Sequence, residues 1–126
     1  MRGELFMERE AKDCLEEIAH AIDSIRAFTA SKDLNDYLSD ELLRAAVERK
    51  FGILGAALSE LLRDFPLYSD RITPVGELYA IGRRMTQGDS DLQDAVVWEM
   101  IHVFLPRLRR QVQQLLEGPR PEDRVN

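Results

Sequence analysis

Residues 11–28 read AKDCLEEIAHAIDSIRAF, and their apolar side chains recur every three or four positions. The apolar set is Ala11, Leu15, Ile18, Ile22, Ile25 and Phe28. This spacing matches the turn of an α-helix, so the set forms one stripe, with charged residues largely on the other side. We predict an amphipathic helix here that ends near residues 29–33, where turn-favouring residues gather.

Residues 39–65 repeat this helical spacing. We expect the second helix to start at Ser39, whose hydroxyl can cap the first turn, and to end before Pro66 because proline disfavours helical geometry in the preceding residue. Its apolar stripe is Leu42, Leu43, Ala46, Val47, Leu54, Ala57, Leu58, Leu61 and Leu62. Gly52 and Gly55 weaken the helix, and we interpret them as allowing close packing of a neighbouring helix.

Two more helices follow in the sequence. After a loop over residues 67–72, Thr73 and Pro74 predict the start of a short helix over residues 75–85. The fourth helix starts near residue 90 or 91 and runs to residue 116, with a kink or break just before Pro106.

The four stripes predict one fold. Each amphipathic helix must bury its stripe against another, and no stretch has a convincing strand pattern. We therefore predict an all-α, antiparallel four-helix up-down bundle with a proline-kinked last helix. The bundle spans residues 1–118 as a single domain, and residues 119–126 form a flexible tail.

The composition excludes several classes of protein. The 126 residues carry a net charge of −6, which disfavours a general electrostatic grip on RNA or DNA. No apolar run is long enough to span a membrane, so we expect no membrane association and a cytoplasmic location. With one cysteine and two histidines, a disulfide and a structural zinc site are both disfavoured, and we expect neither metal nor cofactor.

Few residues suggest catalysis on their own. His20 and His102 could each act as a general base, although a surface or boundary position is the more common role of such histidines. Cys14 and Trp98 adjoin apolar positions and are interpreted as packing residues.

Two groups of arginines allow two interpretations. Arg83 and Arg84 end the third helix, where cations stabilise the helix dipole. Arg107, Arg109 and Arg110 follow Pro106 and form either a solvated face or a phosphate-binding patch, since guanidinium presents a planar fork of donors.

Several segments together resemble one family. Residues 42–51, LLRAAVERKF, continue into Ile53-Leu54-Gly55, and residues 97–101, VWEMI, are followed by LPRL over residues 105–108. These stretches are similar to the second and last helices of the HepT-like family, part of the HEPN class of four-helix ribonuclease domains. The resemblance implies a homodimeric, metal-independent RNase toxin. It also implies a minimal nucleotidyltransferase antitoxin that adds nucleotides to the active-site tyrosine of the toxin.

The family's functional motif is not preserved. It consists of an arginine, four to six residues, a histidine, one residue and a tyrosine. Counting back from Val97 without a gap, Gln87 stands in place of the histidine and Asp89 in place of the tyrosine. Gly82 occupies the place of the arginine, and Ala56 replaces a glutamate common on the second helix.

Three hypotheses follow. The leading one is a catalytically degenerate HepT-like protein that forms a homodimer and binds a minimal nucleotidyltransferase, with RNA as a further candidate partner. The second hypothesis is an active RNase whose unorthodox site combines Arg83, Arg84 and Asp89 with His102. The third is a substrate-binding companion of a nucleotidyltransferase.

Overall fold

The fold is known from a computed structural model that describes residues 10–72 and 90–118. The elements are α1 (Ala11–Thr29), α2 (Leu34–Ser39), α3 (Glu41–Asp64), a 3₁₀ helix (Pro66–Asp70) and α4 (Ser90–Glu117). No strand occurs in these two stretches, so the all-α, HEPN-like bundle predicted from the sequence is confirmed. The third helix predicted over residues 75–85 and the predicted tail over residues 119–126 lie outside the described residues.

The core forms where the stripes of α1, α3 and α4 meet. The first helix packs along α3 and also contacts α4. Its predicted stripe is buried from Ala11 to Ile25, and only Phe28, near the end of the helix, is 38% exposed. In α4 the buried stripe is Val97, Ile101, Phe104, Leu105, Leu108, Val112 and Leu115. Each of the larger of these side chains stabilises the fold by about 1.5–3 kcal/mol through removal of apolar surface from water.

The start of α3 differs from the prediction. Asp40, not Ser39, is the N-cap, and its carboxylate accepts a hydrogen bond from the Leu43 N–H at 3.0 Å. Ser39 instead ends α2, where its hydroxyl donates to the carbonyl of Asn35 at 2.9 Å. Because both residue types can cap a helix, the prediction was one position too early.

The short helix α2 was not predicted. Its N-cap Asp33 accepts from the Asp36 N–H at 2.8 Å, and the Asp36 carboxylate accepts from the Asp33 N–H at 2.9 Å. This reciprocal pair is a capping box, which satisfies two backbone donors that the first helical turn leaves unpaired. The polar residues of this stretch therefore start a helix instead of only a turn.

Proline and glycine also have effects that differ from the expectations. Pro66 follows the end of α3 as expected, but it opens the 3₁₀ helix in place of the predicted loop. The last helix continues through Pro106, so of the predicted kink or break, the break is absent. In the described part of the chain, no neighbouring atom lies within 4 Å of the place where a Cβ of Gly52 or Gly55 would stand, so neither glycine permits a close contact with a described helix.

Candidate functional site

The residues of the sequence-predicted site come just before α4 in the sequence. Gln87 and Asp89, with Arg83 and Arg84 nearby, lie outside the described residues. The described chain resumes at Ser90, the first residue of α4. The geometry near this site therefore comes from the first four turns of α4 and from the segments that pack on them.

Tyr37 is the most unusual polar residue next to α4. Its side chain is fully buried, and its hydroxyl has no hydrogen-bond partner among the residues that the structure describes. Burial raises the pKa of Tyr37 above its ordinary value, and the carboxylates of Asp94 and Glu48 raise it further. The Arg44 guanidinium opposes this effect on the pKa. Tyr37 is therefore a neutral phenol at physiological pH, in an apolar setting with acidic groups close by.

Arg44 joins three segments beside this phenol. Its Nε lies 3.7 Å from the Asp94 carboxylate on α4, and both side chains are largely shielded from water. One terminal nitrogen donates to the carbonyls of Tyr37, at 3.2 Å, and of Leu38. These carbonyls belong to the last turn of α2, and that of Tyr37 also accepts from the backbone N–H of the C-cap residue Asp40 at 3.4 Å. Arg44 therefore caps α2 and holds it near both α3 and α4.

Trp98 lies between two other rings. Its indole centroid is 5.3 Å from that of Tyr37 and 4.6 Å from that of His102, and both pairs are tilted. These distances are typical of favourable aromatic contacts. Trp98 is half-buried against the core, so the packing role predicted for it agrees with its surroundings.

His102 is exposed on the far side of this stack. Its Nδ1 lies 2.9 Å from the Trp98 carbonyl oxygen. Because a carbonyl can only accept, this contact makes Nδ1 the donor, and Nε2 is left for other contacts. His20, on α1, is exposed as well. Both histidines therefore occupy surface positions, as the sequence favoured.

An open groove lies between α2 and α4 and has a volume of about 480 Å³. Its lining is mainly apolar, with one carboxylate and one imidazole. The lining residues are Leu34, Ala95, Val96, Trp98, Glu99, His102 and Val103. Such a surface suits apolar contacts with a few polar anchors.

The predicted arginine patch on α4 is partly neutralised. Arg109 donates two hydrogen bonds to the Asp23 carboxylate, at 2.9 and 3.2 Å, and a third to the Gln113 side chain at 2.7 Å. A guanidinium held in this forked geometry has its charge compensated by the protein itself. Arg107 and Arg110 are exposed. The bond pattern of Arg109 therefore favours a role in fixing α4 to α1 over a role in binding phosphate.

Metal binding and membrane insertion find no support in the part of the chain that the structure describes. Between residues 10–72 and 90–118, no three histidine, cysteine or carboxylate side chains meet as a metal site would require. Cys14 is buried in the core. No described helix combines the length and apolar character needed to cross a membrane.

The cluster of Tyr37, Arg44 and Asp94 was missed by sequence reasoning. Tyr37 falls in a stretch that was assigned to no helix, and Asp94 lies 50 residues after Arg44. The pairing of Asp33 with Asp36 at capping-box spacing is the signal that could have revealed α2 and, with it, the burial of Tyr37.

Comparison with known proteins agrees with the resemblance. The chain is 29% identical over 109 residues to a protein named "Probable ribonuclease HepT" from Thermococcus cleftensis, covering 86% of this chain and 98% of that protein. It is 23% identical over 111 residues to a "Gamma-glutamylcyclotransferase and putative RNase" from Methanocaldococcus jannaschii, covering 88% of this chain and 50% of that protein. No solved structure matches.

The match to a family extends over most of the bundle. The model of the family described as "HepT-like: Ribonuclease HepT-like" matches residues 18–115. This range runs from the middle of α1 almost to the end of α4 and includes the residues that line the groove. The chain therefore belongs to the HepT-like family of ribonuclease-related helical proteins.

Proposed function

We propose that this protein is a catalytically degenerate member of its family that acts by binding other proteins. It forms a homodimer and binds a minimal nucleotidyltransferase. The observation that carries this proposal is the pair of residues at the motif positions, Gln87 for the histidine and Asp89 for the tyrosine.

The chemistry of RNA cleavage explains why this pair matters. Cleavage that uses the 2′-hydroxyl as nucleophile needs one group to remove its proton and another to protonate the leaving oxygen. Histidine can do both because its pKa of about 6.5 lies near neutrality. Glutamine does not titrate in that range, and the negative charge of Asp89 repels a phosphate. An aspartate also lacks the phenolic hydroxyl that the nucleotidyltransferase would modify.

His102 does not replace the lost histidine. His102 lies twelve residues after Ser90, which places it about 18 Å along the helix axis from the start of α4. A single scissile phosphate at the start of α4 is therefore out of reach of His102 in the same protomer. This distance counts against an unorthodox RNase site that combines His102 with Arg83, Arg84 and Asp89.

An RNase assay with a restored variant tests the loss of catalysis. The purified protein is incubated with labelled RNA beside an active family toxin as positive control. We expect no cleavage by the wild type and a gain of cleavage in a variant with Gly82→Arg, Gln87→His and Asp89→Tyr. Cleavage by the wild type that disappears in Gln87→Ala would overturn the proposal.

Binding to a nucleotidyltransferase needs a separate assay. A tagged form of the protein is purified from its own cells, and the bound proteins are identified by mass spectrometry. We expect a small nucleotidyltransferase to co-purify without adding nucleotides to this chain. Addition of nucleotides to this chain would contradict the degenerate site, whereas the absence of any nucleotidyltransferase would contradict the proposed partner.

A further inference from the structure

The outward face of α4 carries an apolar residue between opposite charges. Val103 lies in the middle of this long helix and is 61% exposed. Glu99 lies four residues before it and Arg107 four residues after it, and both are exposed. Residues four apart on a helix lie on one face, so the three side chains form a single stripe.

This stripe is complementary to itself. When two copies of α4 pack antiparallel about a twofold axis at Val103, the two valines meet at the axis. Glu99 of each copy then lies opposite the partner's Arg107. A twofold interface uses the same patch on both subunits, so its charges must pair in this reciprocal way. Two such ion pairs flanking an apolar centre would fix the antiparallel register.

The groove beside Val103 gives the second copy apolar surface to cover. Its walls come from α2 and α4 and include Leu34, Ala95 and Trp98. A helix packed on Val103 at the usual interaxial distance of about 8–10 Å would place its own side chains in this groove. Both α2 and α4 therefore contribute to the contact with the second copy. Apolar surface that is exposed to water in the isolated chain becomes buried in the dimer.

We propose that the face formed by α4 and α2 binds a second copy of this chain, antiparallel about Val103. The inference rests on the homodimer proposed above and specifies the surface that forms it. An RNA occupant is disfavoured because the face is apolar at its centre and includes a carboxylate, whereas RNA needs a positive surface. The net charge of −6 on each copy opposes association at long range, but salt near 0.15 M screens this repulsion beyond about 8 Å.

Charge exchange across the twofold axis provides a sharp test. In a dimer of the Glu99→Arg variant, two positive side chains would face each other at both ends of the interface. In a dimer of the Arg107→Glu variant, two negative side chains would face each other there. When the two variants are mixed, the heterodimer regains opposite charges at both positions. We expect each variant alone to dimerise at least about tenfold more weakly than the wild type and the mixture to recover dimers.

The oligomeric state is measured by size-exclusion chromatography with light scattering over a range of concentrations. Val103→Asp should also weaken the dimer by about tenfold or more because it places a charge on the axis. Leu67→Asp is the matched control, since Leu67 is 62% exposed but lies in the 3₁₀ helix, and it should leave the dimer unchanged. Circular dichroism confirms that every variant is folded.

The possible outcomes separate this inference from the proposed function. A wild-type dimer that persists in all three α4 variants would overturn the inference while leaving the homodimer intact. A monomeric wild type would overturn both the inference and the homodimer. A mixture that fails to recover dimers would overturn the antiparallel register. RNA cleavage by the wild type would overturn the loss of catalysis but would leave the interface supported.

Discussion

Replacing Tyr37 with phenylalanine should stabilise the protein, contrary to the usual effect of a change in the core. The hydroxyl of Tyr37 is buried, and within residues 10–72 and 90–118 it finds no hydrogen-bond partner. In the unfolded chain the same hydroxyl is hydrated, so folding removes its water and returns no bond. Tyr37→Phe deletes this penalty and retains the ring that packs on Trp98.

The size of the effect follows from two opposing contributions. A buried polar group without a partner costs about 1–3 kcal/mol. Removing its oxygen leaves a small void, and the lost contacts offset part of that gain. We expect a net increase of about 1 kcal/mol in the free energy of unfolding at pH 7. For a chain of this length, that corresponds to a rise of roughly 3–5 °C in Tm.

The difference between the two proteins should grow in alkaline solution. The native pKa of Tyr37 is raised, whereas in the unfolded chain a tyrosine ionises near pH 10. Above pH 10 the unfolded state therefore binds fewer protons than the native state at this residue, and stability falls as the pH rises. At pH 11 this contribution lowers the stability of the wild type by about 1.4 kcal/mol, and Tyr37→Phe is free of it.

Urea denaturation at pH 7 and at pH 10–11, followed by circular dichroism, measures both effects. Tyr68→Phe is the matched control, because Tyr68 is equally buried but is not without an interaction partner. We expect that control to leave stability unchanged or to lower it. A loss of 1 kcal/mol or more in Tyr37→Phe would show that the hydroxyl has a partner in the folded state, and the reasoning would be refuted.

The remaining predictions concern backbone groups and the ion pair, and each is checked by the midpoint of chemical or thermal denaturation. Gly52→Ala should stabilise the protein by about 0.5–1 kcal/mol, because the added methyl meets no neighbour and alanine favours a helix; destabilisation would reveal a hidden contact. Asp40→Ala should cost about 1 kcal/mol as a lost N-cap, whereas Ser39→Ala should have little effect; equal losses would contradict the assignment of Asp40 as the cap. Arg44→Ala should cost about 2–3 kcal/mol, since it removes the ion pair with Asp94 and the hydrogen bonds that the carbonyls of Tyr37 and Leu38 accept from Arg44, and a neutral result would show that these contacts contribute nothing.

The bundle could be predicted from the sequence because its decisive signals are local. The spacing of apolar residues on α1 and α4 depends only on neighbours three or four positions away, and almost every such residue is buried. Leu42 shows the limit of this reasoning. It was assigned to the buried stripe of α3 but is 81% exposed, because the adjacent Leu43 faces the core. A rotation of about 100° between consecutive residues separates the two side chains.

The surroundings of α4 could not be predicted in the same way. The contact between Arg44 and Asp94 joins helices that are distant in the sequence, and no periodicity relates the two residues. Likewise, nothing in the spacing of the α4 arginines distinguishes Arg109, which Asp23 binds, from the exposed Arg110. Such pairs depend on how the helices are rotated and aligned, which is determined only when the whole core packs. The assignment of Gln87 and Asp89 came from family resemblance and stays a prediction.

The polar cluster and the proposed dimer face are mechanically connected through α2. A helix of six residues cannot persist alone, because helix nucleation is unfavourable and short helices gain too few hydrogen bonds. Arg44 caps its last turn, and Tyr37 anchors it in the core against Trp98. Leu34 at the other end of α2 forms one wall of the groove. The residues that fix α2 are Arg44, Tyr37 and Trp98, and they therefore also shape the groove offered to a second copy. Of these three residues, Trp98 alone lines the groove. On this view the guanidinium of Arg44 and the ring of Tyr37 position α2, whereas the Tyr37 hydroxyl contributes nothing to that position and, by the prediction above, lowers the stability of the fold.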